Sequence, residues 1–190
     1  MCNTTITVSK KTADKIDRLK DWIGIRKGTC AKLLIYEQHE LFIKDSESFE
    51  RALLKKKQGI NRENKHIPVS YSEEYTKELY NIEKMLNDGK EENSPQIKLN
   101  TILEYMIMME LDNCFVKDKT VNKKAKGVIA LSFKNKEEFE NDCNIFRKHA
   151  DLDKNALNIA EKINITSNSA NRWIIARYYI KEVSRILIDS

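Results

Sequence analysis

The sequence predicts a mainly α-helical fold with short β-strands, built as tandem copies of one strand–helix–turn–helix unit. Three observations predict it. Gly and Pro are scarce, five and two in 190 residues, which excludes loop-rich all-β folds, Gly-rich nucleotide-binding loops and collagen-like chains. Three short alternating stretches recur at nearly equal spacing: Ile6-Thr7-Val8-Ser9, Ile67-Pro68-Val69-Ser70 and Ile129-Ala130-Leu131-Ser132. Each is followed by a segment with helical apolar spacing, a break, and a second apolar-rich helix.

In the first unit, residues 1–44, the strand leads into the stripe Ala13, Ile16, Leu19 and Ile23. Gly24 and Gly28 break that helix and Thr29 caps the next. Residues 45–64 form a linker, with a short helix over 46–57 that ends in Lys55, Lys56 and Lys57. In the second unit, residues 65–113, the stripe is Tyr75, Leu79, Ile82 and Leu86. A break from Asn87-Asp88-Gly89 to Ser94-Pro95 follows, with Ser94 as cap and Pro95 first in the second helix. That helix is apolar on several faces (Tyr105, Met106, Ile107, Met108, Met109), the mark of a buried helix. A basic linker, 114–126, leads to a divergent third unit, 127–190, with the stripe Phe139, Cys143, Phe146 and Ala150. Its second helix opens at either Asp153 or Thr166-Ser167. Aligning strands matches Ile6 with Ile67, whereas aligning helix stripes matches Ile6 with Val69 and Ser9 with Ser72. Either choice leaves the same residues on the same strand face, because strand period is two.

The formal charge of +5 is unevenly held: residues 1–64 carry +5, 65–126 carry −1 and 127–190 carry +1. The four cysteines (Cys2, Cys30, Cys114, Cys143) show no pairing pattern and are expected reduced and mostly buried. No apolar run approaches the ~18–20 residues of a membrane span. The N-terminal stretch lacks an apolar leader, which points to the cytosol. The three histidines (His39, His66, His149) belong to no spaced ligand set, so neither metal nor other cofactor is expected. No P-loop, nucleophile elbow or His-containing relaxase signature is present, and the adjacent Tyr178 and Tyr179 read as core packing beside Trp173, so the chain is not expected to be an enzyme.

The first unit, TTITVSKKTADKIDRLKDWIGIRKGTCAKLLIYEQHELF, resembles the ribbon-helix-helix family of small DNA-binding proteins, and HIPVSYSEEYTKELYNIEKMLNDG…SPQIKLNTILEYMIMMEL is similar. The third unit resembles it only loosely. The resemblance implies two-stranded antiparallel ribbons, because a lone strand has unpaired edges. It also implies that outward ribbon side chains read base edges in the major groove of double-stranded DNA. In the first unit those residues would be Asn3, Thr5 and Thr7, with Ile6 and Val8 inward. The second helix's N-terminus would anchor a phosphate through Lys27, Gly28 and Thr29, with Arg26 adding charge. Lys10 and Lys11 would meet the flanking backbone.

The outward residues of the second unit (His66, Pro68, Ser70) and third unit (Ala130, Ser132, Lys134) suit bases less well, so the first unit is the expected reader and the others assembly modules. Ribbon pairing needs two units. One solution is a homodimer pairing like with like; the other pairs units two and three within a chain and unit one across chains. Such proteins act as repressors, antitoxins, plasmid partition factors and relaxosome accessory proteins. The expected role here is an accessory factor at a plasmid transfer origin, binding repeated sites beside a relaxase. The alternatives are a transcriptional repressor, a partition or copy-control regulator, and an oligomeric scaffold that does not bind DNA. Neither a membrane nor a small-molecule substrate is expected as a partner.

Overall fold

The computed structural model describes residues 2–54, 63–90, 95–114, 134–147 and 153–188. Their order is β1 (Cys2–Ser9), α1 (Lys10–Ile23), α2 (Lys27–Lys44), α3 (Ser46–Leu54), β2 (Asn64–Tyr71), α4 (Glu73–Asn87), α5 (Leu99–Cys114), α6 (Lys134–Arg147), α7 (Lys154–Lys162) and α8 (Ser167–Ile188).

The strands β1 and β2 pair antiparallel within the one chain, with Ile6 opposite Ile67 and Thr5 opposite Pro68. Period-two alternation gives this ribbon one apolar face. Ile6, Val8, Ile67, Val69 and Tyr71 are buried, whereas Thr5, His66 and Pro68 are exposed. Among the described residues, helices cover only the apolar side.

The halves β1–α1–α2 and β2–α4–α5 correspond position by position. Ser9 caps α1 by accepting the Thr12 N–H at 3.2 Å, and Ser72 caps α4 by accepting the Tyr75 N–H at the same distance. From those caps the buried residues Thr12, Ile16, Leu19 and Ile23 of α1 match Tyr75, Leu79, Ile82 and Leu86 of α4. Cys30, Leu34, Gln38 and Phe42 of α2 likewise match Ile102, Met106, Glu110 and Cys114 of α5. The structure therefore selects the register in which Ile6 corresponds to Val69. A local two-fold passes between Thr5 and Pro68, and α2 packs on α5 beneath the ribbon. Replacing a capping serine with alanine is expected to cost about 1 kcal/mol by urea unfolding. Ser72→Ala will cost more than Ser9→Ala, because the Ser72 hydroxyl also donates to Lys162 O at 2.9 Å.

Three tandem ribbon units are not what the chain forms. Among the described residues there is one two-stranded sheet, and it joins the first and second halves rather than the second and third. The third proposed strand, with Ala130 and Ser132, lies outside the described residues, and Lys134 begins a helix. The last three helices instead add to the core of the paired halves. Trp173 of α8 is fully buried and donates to Glu37 Oε1 at 2.8 Å, and Phe139 of α6 stacks on Trp22 with ring centroids 4.4 Å apart. Arg172 donates to Ile23 O at 2.5 Å, closing the C-terminus of α1 beside Gly24. That glycine takes φ +77°, which strains any other residue, and a Cβ there would lie 2.7 Å from the Arg172 guanidinium and push it aside.

Local differences have physical causes. Helix α2 starts at Lys27, so Thr29 lies inside its first turn and caps nothing; Arg26 holds the N-cap position. Pro95 does not open α5, which starts at Leu99. Asn87 holds the preceding residues as a loop, bonding both the N–H and the C=O of Ile97 at 2.8 and 2.9 Å. Both openings weighed for the third unit are used: Asp153 caps α7, and Thr166 accepts the Ser169 N–H at the start of α8. Phe146 and Tyr178 are exposed rather than packed, while Tyr179 contacts Phe139 and donates to Asp142 Oδ2 at 2.7 Å. Cys30, Cys114 and Cys143 are buried free thiols. Residues 55–57 lie outside the described residues. Among those described, no helix is long and apolar enough to cross a membrane.

Candidate nucleic-acid interface

A two-stranded ribbon has two free edges, whose polar groups must find partners. Side chains from the flanking helices supply them here. On the β1 edge, the Thr7 N–H donates to Asn100 Oδ1 at 2.8 Å and Asn100 Nδ2 donates to Thr7 O at 3.1 Å. The Ser9 N–H reaches Glu104 Oε1 at 3.3 Å. On the β2 edge, Lys32 Nζ donates to Ser70 O at 3.0 Å. Both strands are held in the plane of the ribbon, and their outward side chains stay clear of that bonding.

Those outward side chains form a short polar row. Thr5 is exposed opposite Pro68. Thr7 is half-buried opposite His66, its Oγ1 3.1 Å from His66 Nδ1. Asn3 occupies the strand position opposite Ser70; its side chain lies outside the description. A threonine hydroxyl, an imidazole and a serine hydroxyl offer both donors and acceptors.

The expected phosphate-binding residues fall into two groups. Lys10 and Lys11 are exposed at the ribbon end where α1 begins. Lys10 Nζ lies 3.1 Å from Glu63 Oε2, and Lys65 Nζ lies 3.0 Å from Glu63 Oε1. These two ammonium groups hold the Glu63 carboxyl below its ordinary range. A hollow of about 400 Å³ opens beside them, lined also by Lys15 and Asp112. The second group, Arg26, Lys27, Gly28 and Thr29, forms the start of α2. No side chain caps this terminus, and the Cys30 N–H is the first to bond back, to Arg26 O at 2.9 Å. Lys27 Nζ pairs with Asp17 Oδ2 at 2.6 Å, which offsets part of its charge. Gly28 sits against the ribbon: a Cβ there would lie 2.9 Å from Pro68 O. The glycine therefore permits the close approach of α2 to β2, and it puts the uncapped helix start beside the ribbon.

The start of α5 is the counterpart on the other side of the two-fold, and it differs. Its Leu99 N–H already donates to Glu83 Oε1 at 2.7 Å, so a carboxylate occupies the place an incoming anion would take.

Sequence reasoning missed Asn100 and Lys32, which hold the ribbon edges. Lys32 interrupts the apolar run from Cys30 to Ile35, which was an available signal; Asn100, in the polar first turn of α5, gave none. It also missed the Thr7–His66 contact, because no local pattern discloses which strand lies opposite. Compared with protein-family models, curated proteins and solved structures, the chain matches none.

Proposed function

We propose that this protein binds double-stranded DNA, laying the β1–β2 ribbon in the major groove as the ribbon-helix-helix proteins it resembles do. One observation carries this reading: the ribbon is buried on one face only, and its other face presents Thr5, Thr7 and His66. An antiparallel ribbon fits the width of the major groove. Threonine there bonds a base edge or contacts a thymine methyl, and Asn3 pairs with adenine. The uncapped start of α2, with Arg26, Lys27, Gly28 and Thr29, takes one backbone phosphate, and Lys10 with Lys11 takes others. No step in this reading needs a catalytic group, metal or cofactor.

The test is a binding titration against a duplex enriched from a random pool. Thr7→Ala is expected to lose about 1–3 kcal/mol of specific binding while keeping non-specific affinity. Wild-type log affinity should fall linearly with log salt. An absence of salt-dependent binding to any duplex would overturn the reading in favour of a scaffold.

The role we favour is an accessory factor beside a relaxase at a plasmid transfer origin, acting in the cytosol. Its support is the helical segment beyond residue 133, which a minimal reader would not need and which exposes Ile145, Phe146 and Tyr178. Footprints on direct repeats beside a nick site would support that role. Footprints over a promoter would replace it with repression.

A further inference from the structure

The ribbon body has two-fold geometry but not two-fold chemistry. Lys10 and Lys11 open α1 just after the Ser9 cap; the same two positions after the Ser72 cap are Glu73 and Glu74. All four side chains are exposed. Lys65 shares the Glu63 carboxylate with Lys10, and Glu63 together with Asp14, one turn into α1, still leaves Lys10, Lys11 and Lys65 in excess by one positive charge. At the opposite end Lys77, one turn into α4, only partly offsets the two carboxylates. The helix starts flanking the ribbon also break the symmetry: α2 is uncapped behind Arg26, whereas α5 is closed by Glu83. Across the outward face Thr5 is matched by Pro68, which offers no side-chain hydrogen bond.

From this we infer that the ribbon engages a non-palindromic duplex in one fixed orientation, with backbone phosphates held at the Lys10–Lys11 end and at the start of α2, and not at their symmetry counterparts. The inference rests on the DNA-binding reading above. A ribbon of two identical strands presents the same contacts to both halves of its site and so favours a two-fold sequence. Here the carboxylates of Glu73 and Glu74 would meet phosphates at the second flank, and like charges repel. Base contacts are asymmetric at the centre of the ribbon, where Thr5 bonds a base edge and its mate Pro68 offers apolar contact suited to a thymine methyl; the outer positions, Thr7 with Ser70 and Asn3 with His66, are polar in both strands.

The experiment uses the full chain and a randomised duplex pool, followed by phosphate-ethylation interference on the enriched sequence. The expected result is a consensus without two-fold symmetry, with interference at the phosphates beside Lys10–Lys11 and the start of α2 and none at their symmetry counterparts. Lys10→Gln with Lys11→Gln should lower affinity roughly tenfold near 0.1 M salt and reduce the salt slope by about 2. Glu73→Gln with Glu74→Gln should raise affinity several-fold, and thermal melts should show both variants folded. A palindromic consensus with interference at the symmetry counterparts as well would overturn the fixed orientation and leave DNA binding standing. Unchanged affinity in the Glu73→Gln/Glu74→Gln variant would overturn it too. Failure to enrich any sequence, together with no salt-dependent binding, would overturn the DNA reading and this inference with it.

Discussion

Arg177→Ala is expected to destabilise the folded chain by about 3–5 kcal/mol, the range for a buried ion pair that loses one partner. Glu110 of α5 is fully buried where α5 crosses α2. Its Oε2 accepts from Gln38 Nε2 at 2.8 Å and from Asn113 Nδ2 at 3.0 Å. Its Oε1 is held by the Arg177 guanidinium of α8, which also reaches Glu37 Oε2 at 3.6 Å. Burial still raises the Glu110 pKa, so desolvation outweighs the attraction of Arg177. Without the guanidinium, a carboxylate would remain in the core with only amide partners. Urea unfolding measures the loss. Adding Glu110→Gln to Arg177→Ala should recover most of it, because the neutral amide keeps the shape without the charge. A double variant as weak as the single one would show that packing of Arg177 against Trp173, and not charge, is what is lost.

A pH-dependent difference should separate wild type from Lys32→Met. The Lys32 side chain is almost fully buried; its ammonium donates to three carbonyls, Ser70 O at 3.0 Å, Ile163 O at 2.9 Å and Asn164 O at 2.5 Å, and lies 5.8 Å from the Tyr71 ring centroid, with no carboxylate among the described residues bonded to it. The last two come from the α7–α8 turn, where Asn164 takes φ +52°, a left-handed conformation that asparagine tolerates. Burial pushes the Lys32 pKa down to about 8, from 10.5 for a free side chain. Below pH 8 the ammonium is charged in both folded and unfolded chains. Between pH 8 and 10.5 the folded chain has released its proton and the unfolded chain has not, so unfolding takes up a proton and rising pH favours the fold. Over that window wild type should gain roughly 3 kcal/mol relative to Lys32→Met. Parallel stability curves for the two proteins would show that the carbonyls compensate the ammonium for its burial.

The local elements were legible in the sequence for local reasons. Strand alternation around Ile6 and Val69, the α1 and α4 stripes, and the stop at Gly24 each depend on residues within one or two turns. The pairing partner was not legible. Which edge meets β1 is decided by contacts such as Asn100 on Thr7, more than ninety positions away in the chain. Gly28 misled for a related reason: it resembles a break, but its small size serves the approach of α2 to β2. The third unit misled because Phe139 and Trp173 carry helix-stripe signals whichever body they pack against. Among the expected site residues, Thr5, Thr7, Lys10 and Lys11 could be placed from strand parity and chain order. The asymmetry between Arg26 and Glu83 at the two helix starts required the fold.

Joining β1 and β2 in one chain also changes how the ribbon responds to dilution. A ribbon made from two separate molecules dissolves as concentration falls, and its abundance follows the square of the monomer concentration. A tethered pair meets at an effective concentration on the order of millimolar whatever the amount of protein present. This ribbon therefore persists at any dilution, and a DNA site read by one chain, as proposed above, would fill without a threshold in protein concentration.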